Sequence, residues 1–309
     1  MKKRWKVLLW ILGILLVIDL GAGYYFFQVA EVRAPKNFIA KQTALNKKDP
    51  LYKEKMWYQN VKKEDWTIKS DDGLKLKAYY ILAQHQTNKT IVMAHGFMNS
   101  KEYEGGPAGM FHELGYNVLI PDDRAHGKSE GKIIGYGWLD RKDYLNWIKT
   151  VLAKKGTNQQ IGMYGVSMGG ATTMMLSGEK DVPKQVKAYI EDCGYTSVDD
   201  EVTYQAKQLY NLPKYPLVPT VSLISKIKAG YSYPEASAVK QLKNNKTPML
   251  FIHGQKDTFV PTKMVDQLYD ATNGPKEKLI VNNAAHAKSQ ETNYPQYKDK
   301  VQRFLTKYM

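Results

Sequence analysis

The chain has one cysteine, Cys193. A lone thiol excludes an intramolecular disulfide and a thiolate metal site. It does not fix the compartment, because a disulfide-free chain with a large core is stable outside a cell as well as inside one. Internal repeats and low-complexity tracts are also missing. Helix-turn-helix, RNP and zinc-ligand spacings do not occur either, so nucleic acid is not an expected partner. That holds despite a formal net charge of +15, from 45 Lys+Arg against 30 Asp+Glu. The basic residues are scattered singly, as on solvated faces near anionic lipid or wall polymer. No metal or cofactor is called for. Hydrophobic residues make up 43% and charged residues 24% of 309 positions, enough for one large globular domain with a sizeable core.

Long hydrophobic runs are absent with one exception. Lys2, Lys3, Arg4 and Lys6 precede an apolar run from Val7 to Ile18; Asp19 interrupts, and Leu20 to Phe27 continues it. Counted through Asp19, about 20 residues suffice to cross a hydrocarbon core as a helix. The basic start favours a cytoplasmic tip, and Tyr24, Tyr25, Phe26 and Phe27 suit the far interface. Asp19, near the outer end, is tolerable where it can reach the interface. A secretory signal cleaved near Gly21-Ala22-Gly23 is the competing reading, but the apolar stretch runs past that site. Residues 1–30 are therefore expected to be an uncleaved single-pass membrane anchor with the rest of the chain extracytoplasmic, secretion after cleavage being the alternative.

Residues 31–65 are polar and lysine-rich and read as a stalk or lead-in. Asp49-Pro50 looks like an N-cap followed by proline at the first helical position. From Trp66 onward the pattern alternates between strands and helices. Residues 66–70 and 74–80 flank Asp71-Asp72-Gly73 as a hairpin. Short apolar runs at 90–94, 117–120, 186–190 and 248–252, and a final one at 278–282, read as strands of a mostly parallel sheet. Helical spacing at 138–152, 262–272 and 294–308 supplies its covering helices, an α/β fold with helices on both faces. The strand pattern pauses over about 196–247, which reads as a helical cap inserted into the 66–309 domain.

One stretch organises this domain. Gly165-Val166-Ser167-Met168-Gly169 is a G-x-S-x-G pattern between a strand and a helix. In a nucleophile elbow the serine occupies a sharp strand-to-helix turn that exposes its hydroxyl. The flanking glycines are needed where a Cβ would strike the neighbouring strand and helix, and the N–H of Met168 can help hold an oxyanion. Serine is a weak nucleophile without a base, and the base needs an orienting acid. Asp257 and then His286 follow, each just past a strand, where open parallel sheets form their sites. The order Ser167, Asp257, His286 suits the strand–turn–helix serine hydrolases. Asp192, at the end of the preceding strand, is an alternative acid. His95, His126 and His253 compete with His286 as base: the first and last each precede a glycine at a strand end, and His126 comes early for that order. Cys193 has no basic neighbour in sequence and reads as a small buried apolar group. Aromatics between Tyr195 and Thr247 can line an acyl pocket or pack the cap on the body.

His95-Gly96-Phe97, Asp123-Arg124-Ala125-His126-Gly127-Lys128-Ser129, the Ser167 elbow, His253-Gly254-Gln255-Lys256-Asp257 and His286 together resemble the α/β-hydrolases, from roughly Trp66 to the C-terminus. The chain is most similar to bacterial membrane-anchored members with a serine-aminopeptidase-type (S33-like) domain. The resemblance implies an α/β-hydrolase fold, an acyl-enzyme on Ser167, and oxyanion-hole N–H groups from Phe97 and Met168. The expected substrate is a small-molecule or lipid-like ester, or an amide, with acyl transfer to another acceptor or a silent surface-binding role as alternatives. Ala125 stands where related hydrolases often have glycine, which leaves the shape of that loop open.

Overall fold

The computed structural model describes residues 2–36 and 45–309. Met1 and residues 37–44, the middle of the polar lead-in, lie outside the described residues. Eight strands form one sheet: β1 (Glu64–Lys69), β2 (Lys75–Ile81), β3 (Lys89–Ala94), β4 (Asn117–Pro121), β5 (Gln160–Val166), β6 (Val186–Asp192), β7 (Met249–Gly254) and β8 (Lys276–Val281). Their order across the sheet is β1-β2-β4-β3-β5-β6-β7-β8. The predicted hairpin is the antiparallel β1–β2 pair, β2 joins β4 antiparallel, and every later pair is parallel. The α/β-hydrolase fold expected from the motifs is the one observed.

The central strands read as unbroken apolar runs because both faces of the sheet are covered. Along β3, Val92 and Ala94 face one core and Ile91 and Met93 the other; along β7, Met249 and Phe251 alternate with Leu250 and Ile252. One face is covered by α4 (Asp140–Lys155), α5 (Met168–Ser177), α8 (Ala238–Leu242) and α9 (Lys263–Ala271), which contribute Trp147, Met174, Leu242 and Leu268 to its core. α3 (Gly105–Glu113) and α11 (Tyr294–Tyr308) cover the other with Phe111 and Phe304. Between β6 and β7 the chain forms α6 (Val198–Tyr210) and α7 (Leu217–Ala229) before α8, and α10 (Ser289–Thr292) precedes the last helix.

Two elements precede the sheet. α2 (Tyr52–Asn60) packs on α3. It starts two residues later than the Asp49-Pro50 cap reading, because Asp49, Pro50 and Leu51 make a turn instead. The Asp49 carboxylate accepts the Leu51 N–H at 2.8 Å and Lys55 Nζ at 2.7 Å, which ties that turn to the helix. α1 (Lys2–Glu31) is one continuous helix, long and apolar enough to cross a membrane. Its upstream residues from Trp5 to Ile18 are exposed, whereas its last three turns pack against α7. A Cβ on Gly23 would lie 2.6 Å from Thr220 Cγ2, so the two helices touch where α1 has no side chain. The Thr220 hydroxyl donates to Asp19, and at the other end Ser225 Oγ donates to Glu31 at 3.0 Å.

Candidate active site

Ser167 follows β5 and caps α5 with φ 56° and ψ −117°, a conformation L residues rarely take. The neighbouring chain leaves no room for a gentler turn. A Cβ on Gly165 would come within 2.0 Å of the Gly169 carbonyl oxygen, and one on Gly169 within 2.0 Å of that of Ala94. Both flanking glycines are thus demanded by backbone, one by the helix and one by the adjacent strand. The Ser167 N–H donates to the Asp192 carbonyl at 2.8 Å, which fastens the turn to β6.

The fold brings Ser167, His286 and Asp257 together. Ser167 Oγ lies 2.9 Å from His286 Nε2, and His286 Nδ1 lies 2.7 Å from Asp257 Oδ2. Asp257 is buried beyond β7, and its Oδ1 accepts the Phe259 and Val260 N–H groups, each at 2.9 Å. Burial works to raise its pKa, but hydrogen bonds from His253 and His286 outweigh it and hold the carboxyl at about 2. An ionised carboxylate only accepts, so Nδ1 of His286 carries the hydrogen and Nε2 is left to accept from the Ser167 hydroxyl. Phe259 lies against the His286 ring with centroids 4.9 Å apart.

The competing residues sit elsewhere. Asp192 is buried, accepts from Ser289 Oγ at 3.0 Å, and is pushed up to about 6 mainly by burial. His95 accepts the Asp123 N–H at 3.0 Å. His253 lies beneath Asp257, its Nε2 3.3 Å from Oδ2; burial lowers its pKa, but hydrogen bonding to Asp257 and the nearby Glu191 charge raise it on balance. Cys193 has a spatial neighbour the sequence does not reveal: its sulfur and ligand atoms of Asp257 and His286 lie within 4.8 Å of one another. Burial pushes its thiol well up, so it stays a neutral packing group there.

Phe97 and Met168 flank the serine by register. Ala94 pairs with Gly165, so each residue lies three positions beyond a matched pair of parallel strands. The Met168 N–H opens α5, where the first amides have no acceptor within the helix. His126 has a task that sequence reading missed: its Nε2 accepts the Met98 N–H at 3.1 Å and so shapes the Phe97 loop. Burial and the neighbouring His95 lower its pKa to about 3, which keeps it a neutral acceptor. The rest of that polar loop is structural. Arg124 grips Asp143 at 2.7 and 2.9 Å and Asp72 at 3.0 and 3.2 Å, joining α4 to the β1–β2 turn. Ala125 adopts φ 59°, so the loop keeps a left-handed turn without glycine, at roughly 1–2 kcal/mol of strain.

Ser167 stands between two cavities of different character. On one side is an apolar cleft of about 840 Å³, part of it open to solvent, bounded by Phe97, Met168, Tyr136, Tyr195, the cap and the end of α1. On the other is a larger, open groove of mixed lining that reaches the charged side chains of Lys48, Lys55, Glu102, Lys288 and Glu291. Of the cap aromatics, Tyr195 and Tyr210 line the cleft, while Tyr231 and Tyr233 are buried in packing. The cleft contains one acid, Glu201. Its Oε1 accepts from Gln205 at 2.8 Å, Oε2 has no partner, and burial pushes its pKa up to about 8.

The sequence pattern of the prolyl oligopeptidase family matches residues 108–309. The chain belongs to this family. Its members are α/β-hydrolases, in keeping with the motif resemblance, and membership makes the protein a hydrolase. The Bacillus subtilis (strain 168) protein YqkD is 35% identical over 254 residues, 80% of this chain and 81% of that one. Among solved structures, the Pyrococcus furiosus esterase Pf2001 superposes with a TM-score of 0.67, at 23% identity, over 90% of this chain and 98% of that one. A Pyrococcus horikoshii acylaminoacyl peptidase gives 0.61 at 19% identity, over 80% of this chain and 42% of that one. These two likenesses concern the fold. The family match begins within α3, so α1, α2 and β1–β3 lie outside it.

Proposed function

We propose that the protein is a serine hydrolase that cleaves an ester through an acyl-enzyme on Ser167. The observation that carries this is the unbroken hydrogen-bond chain from Ser167 Oγ through His286 to Asp257, set between an apolar cleft and an open groove with charged side chains. His286 Nε2 takes the hydroxyl proton as Oγ bonds to the acyl carbon, and returns it to the alcohol as the ester C–O bond breaks. Water then gives a proton to Nε2 and its oxygen to the acyl carbon, releasing the acid and restoring Ser167. Asp257 keeps the imidazole in the working tautomer and balances its positive charge. The N–H groups of Phe97 and Met168 receive the oxyanion. The apolar cleft suits the acyl group, and the open groove, with its charged side chains, suits a polar leaving group. A fluorophosphonate probe should label the wild type on Ser167 and leave Ser167→Ala unlabelled; equal labelling of the variant would refute the assignment.

A second reading, hydrolysis of an aminoacyl amide, draws on Glu201, whose unpartnered Oε2 could pair with a substrate ammonium. In that case Glu201→Gln would abolish aminoacyl turnover and spare simple acyl esters. We further propose that α1 is retained as a membrane anchor with the domain outside the cytoplasm. The Asp19–Thr220 and Glu31–Ser225 contacts support retention, since α1 packs on the cap on both sides of the small-residue site.

A further inference from the structure

The apolar cleft beside Ser167 is not closed by the hydrolase domain alone. Phe26, Val29 and Ala30 of α1 face Leu209 of α6 and Val221 of α7 across it. Spaced i, i+3 and i+4, the three α1 residues share one helix face. Asp19 and Gly23, which contact α7, extend the same stripe upstream in i+4 and i+3 steps, while Glu31, bonded to α7, and the buried Phe27 lie on the adjoining face. The wall is therefore fixed in position rather than resting on the cap by chance.

From these contacts we infer that the last two turns of α1 form part of the acyl subsite, so that the anchoring helix also selects the acyl chain, taken from an ester held in the bilayer. The inference rests on the Ser167 ester-hydrolase reading. Its lipid side follows from lengths. Lys3 to Asp19 spans about 25 Å at 1.5 Å per residue, short of a hydrocarbon core of about 30 Å. The turns docked on α7 must then reach the outer edge of the bilayer. Leu209, Leu223 and Ile227 on α6 and α7 are exposed beside them, which suits lipid contact. An acyl chain can pass from lipid along Phe26, Val29 and Ala30 toward Ser167 without crossing water. Its polar portion is left to the groove on the other side. Besides Ser167 the polar side chains lining the cleft are Glu201 and Gln205, which bond to each other, and Tyr136, Tyr195 and Tyr210; Tyr136 donates to the Ala30 carbonyl and Tyr195 to the Tyr136 carbonyl, each at 2.9 Å.

The test uses the full chain in phosphatidylcholine nanodiscs with 4-nitrophenyl acetate, octanoate and palmitate. Each methylene buried in the cleft should favour the longer ester roughly fourfold, so wild type should prefer octanoate over acetate at least tenfold in kcat/KM. Palmitate, confined to the bilayer, should also be cleaved. Val29→Trp and Ala30→Trp should each lower the octanoate-to-acetate ratio tenfold or more. Val17→Trp, on the exposed upstream part of α1, should leave the ratio unchanged. If the tryptophan variants do not fold, Val29→Ala decides the matter, since it should shift preference from octanoate toward palmitate. An unchanged ratio in the folded Val29 and Ala30 variants overturns the inference, as does failure to cleave palmitate while acetate is turned over. Loss of fluorophosphonate labelling in the wild type would instead remove the underlying Ser167 reading.

Discussion

Replacing Asp257 by asparagine tests the proposed chemistry at its least exposed point. The carboxylate accepts from four groups: the N–H groups of Phe259 and Val260, His286 Nδ1 and His253 Nε2. Asparagine keeps one accepting oxygen, which the two backbone N–H groups can retain. The amide NH₂ then faces His286, and a donor opposite Nδ1 favours the tautomer with its hydrogen on Nε2. That imidazole cannot take the Ser167 proton. The lost charge adds a second penalty: an anion about 4 Å from an imidazolium contributes roughly 4 kcal/mol at an effective dielectric near 20, about a thousandfold in rate. With the wrong tautomer included, kcat should fall by about 10⁴, as is typical of such substitutions. The assay is hydrolysis of 4-nitrophenyl acetate, with thermal melts to verify folding. Asp192→Asn is the matched control: it alters a buried acid that bonds Ser289 and should cost less than about tenfold. Retention of more than a tenth of wild-type kcat by folded Asp257→Asn would refute the reasoning, as would an equal loss in Asp192→Asn.

Other outcomes follow from the same geometry. Gly165→Ala or Gly169→Ala must displace backbone by about 1 Å to relieve a 2.0 Å contact. Fluorophosphonate labelling should slow by at least about 10², measured as the second-order labelling rate. His126→Ala removes the acceptor for Met98 N–H and should lower kcat by about tenfold with little change in KM, read from steady-state kinetics. Glu191 and Glu201 are pushed up to about 8, and Glu104 and Asp140 to about 7, in each case mainly by burial. Such acids bind protons in the folded state that the unfolded chain releases above about pH 4–4.5. Their stabilising contribution is full below that range and is lost as pH rises through 7 to 8. The melting temperature should therefore fall between pH 5 and pH 9; a rise across this window would contradict the burial of these groups. Gly23→Leu places a side chain where Thr220 Cγ2 already lies and should loosen the cap, seen as faster proteolysis between α6 and α7.

Much of this architecture was legible because its signals are local. Each strand expected from an apolar run appears within a few residues of its place, since both faces of a parallel sheet demand the same residue type. The Ser167 elbow was legible because backbone crowding leaves glycine as the residue for two positions. What escaped depends on approach in space. Nothing near Asp257 or Asp192 tells which loop reaches His286; the turn through Phe259 and Val260 decides it. His126 looked idle because its partner is a backbone N–H 28 residues away. Glu201 is one acid among several in α6, and only the fold turns it into the cleft. Ala125 accepts a left-handed φ because its loop is held on all sides, a cooperative property no single position reveals. The apolar N-terminal helix is legible from composition, which carries no information about what its last turns touch.

The contact between Asp19 and Thr220 also orders events during synthesis. The two residues are 201 positions apart. At roughly 5–20 residues per second, about 10–40 s separate their emergence. If α1 enters the bilayer as it is made, its acid must wait at the lipid boundary until α7 arrives. The cap is then completed on a helix already in place, and a cleft walled by both is finished only at the membrane. A chain that strays elsewhere before that moment would fold its sheet and its serine, but not the wall beside them.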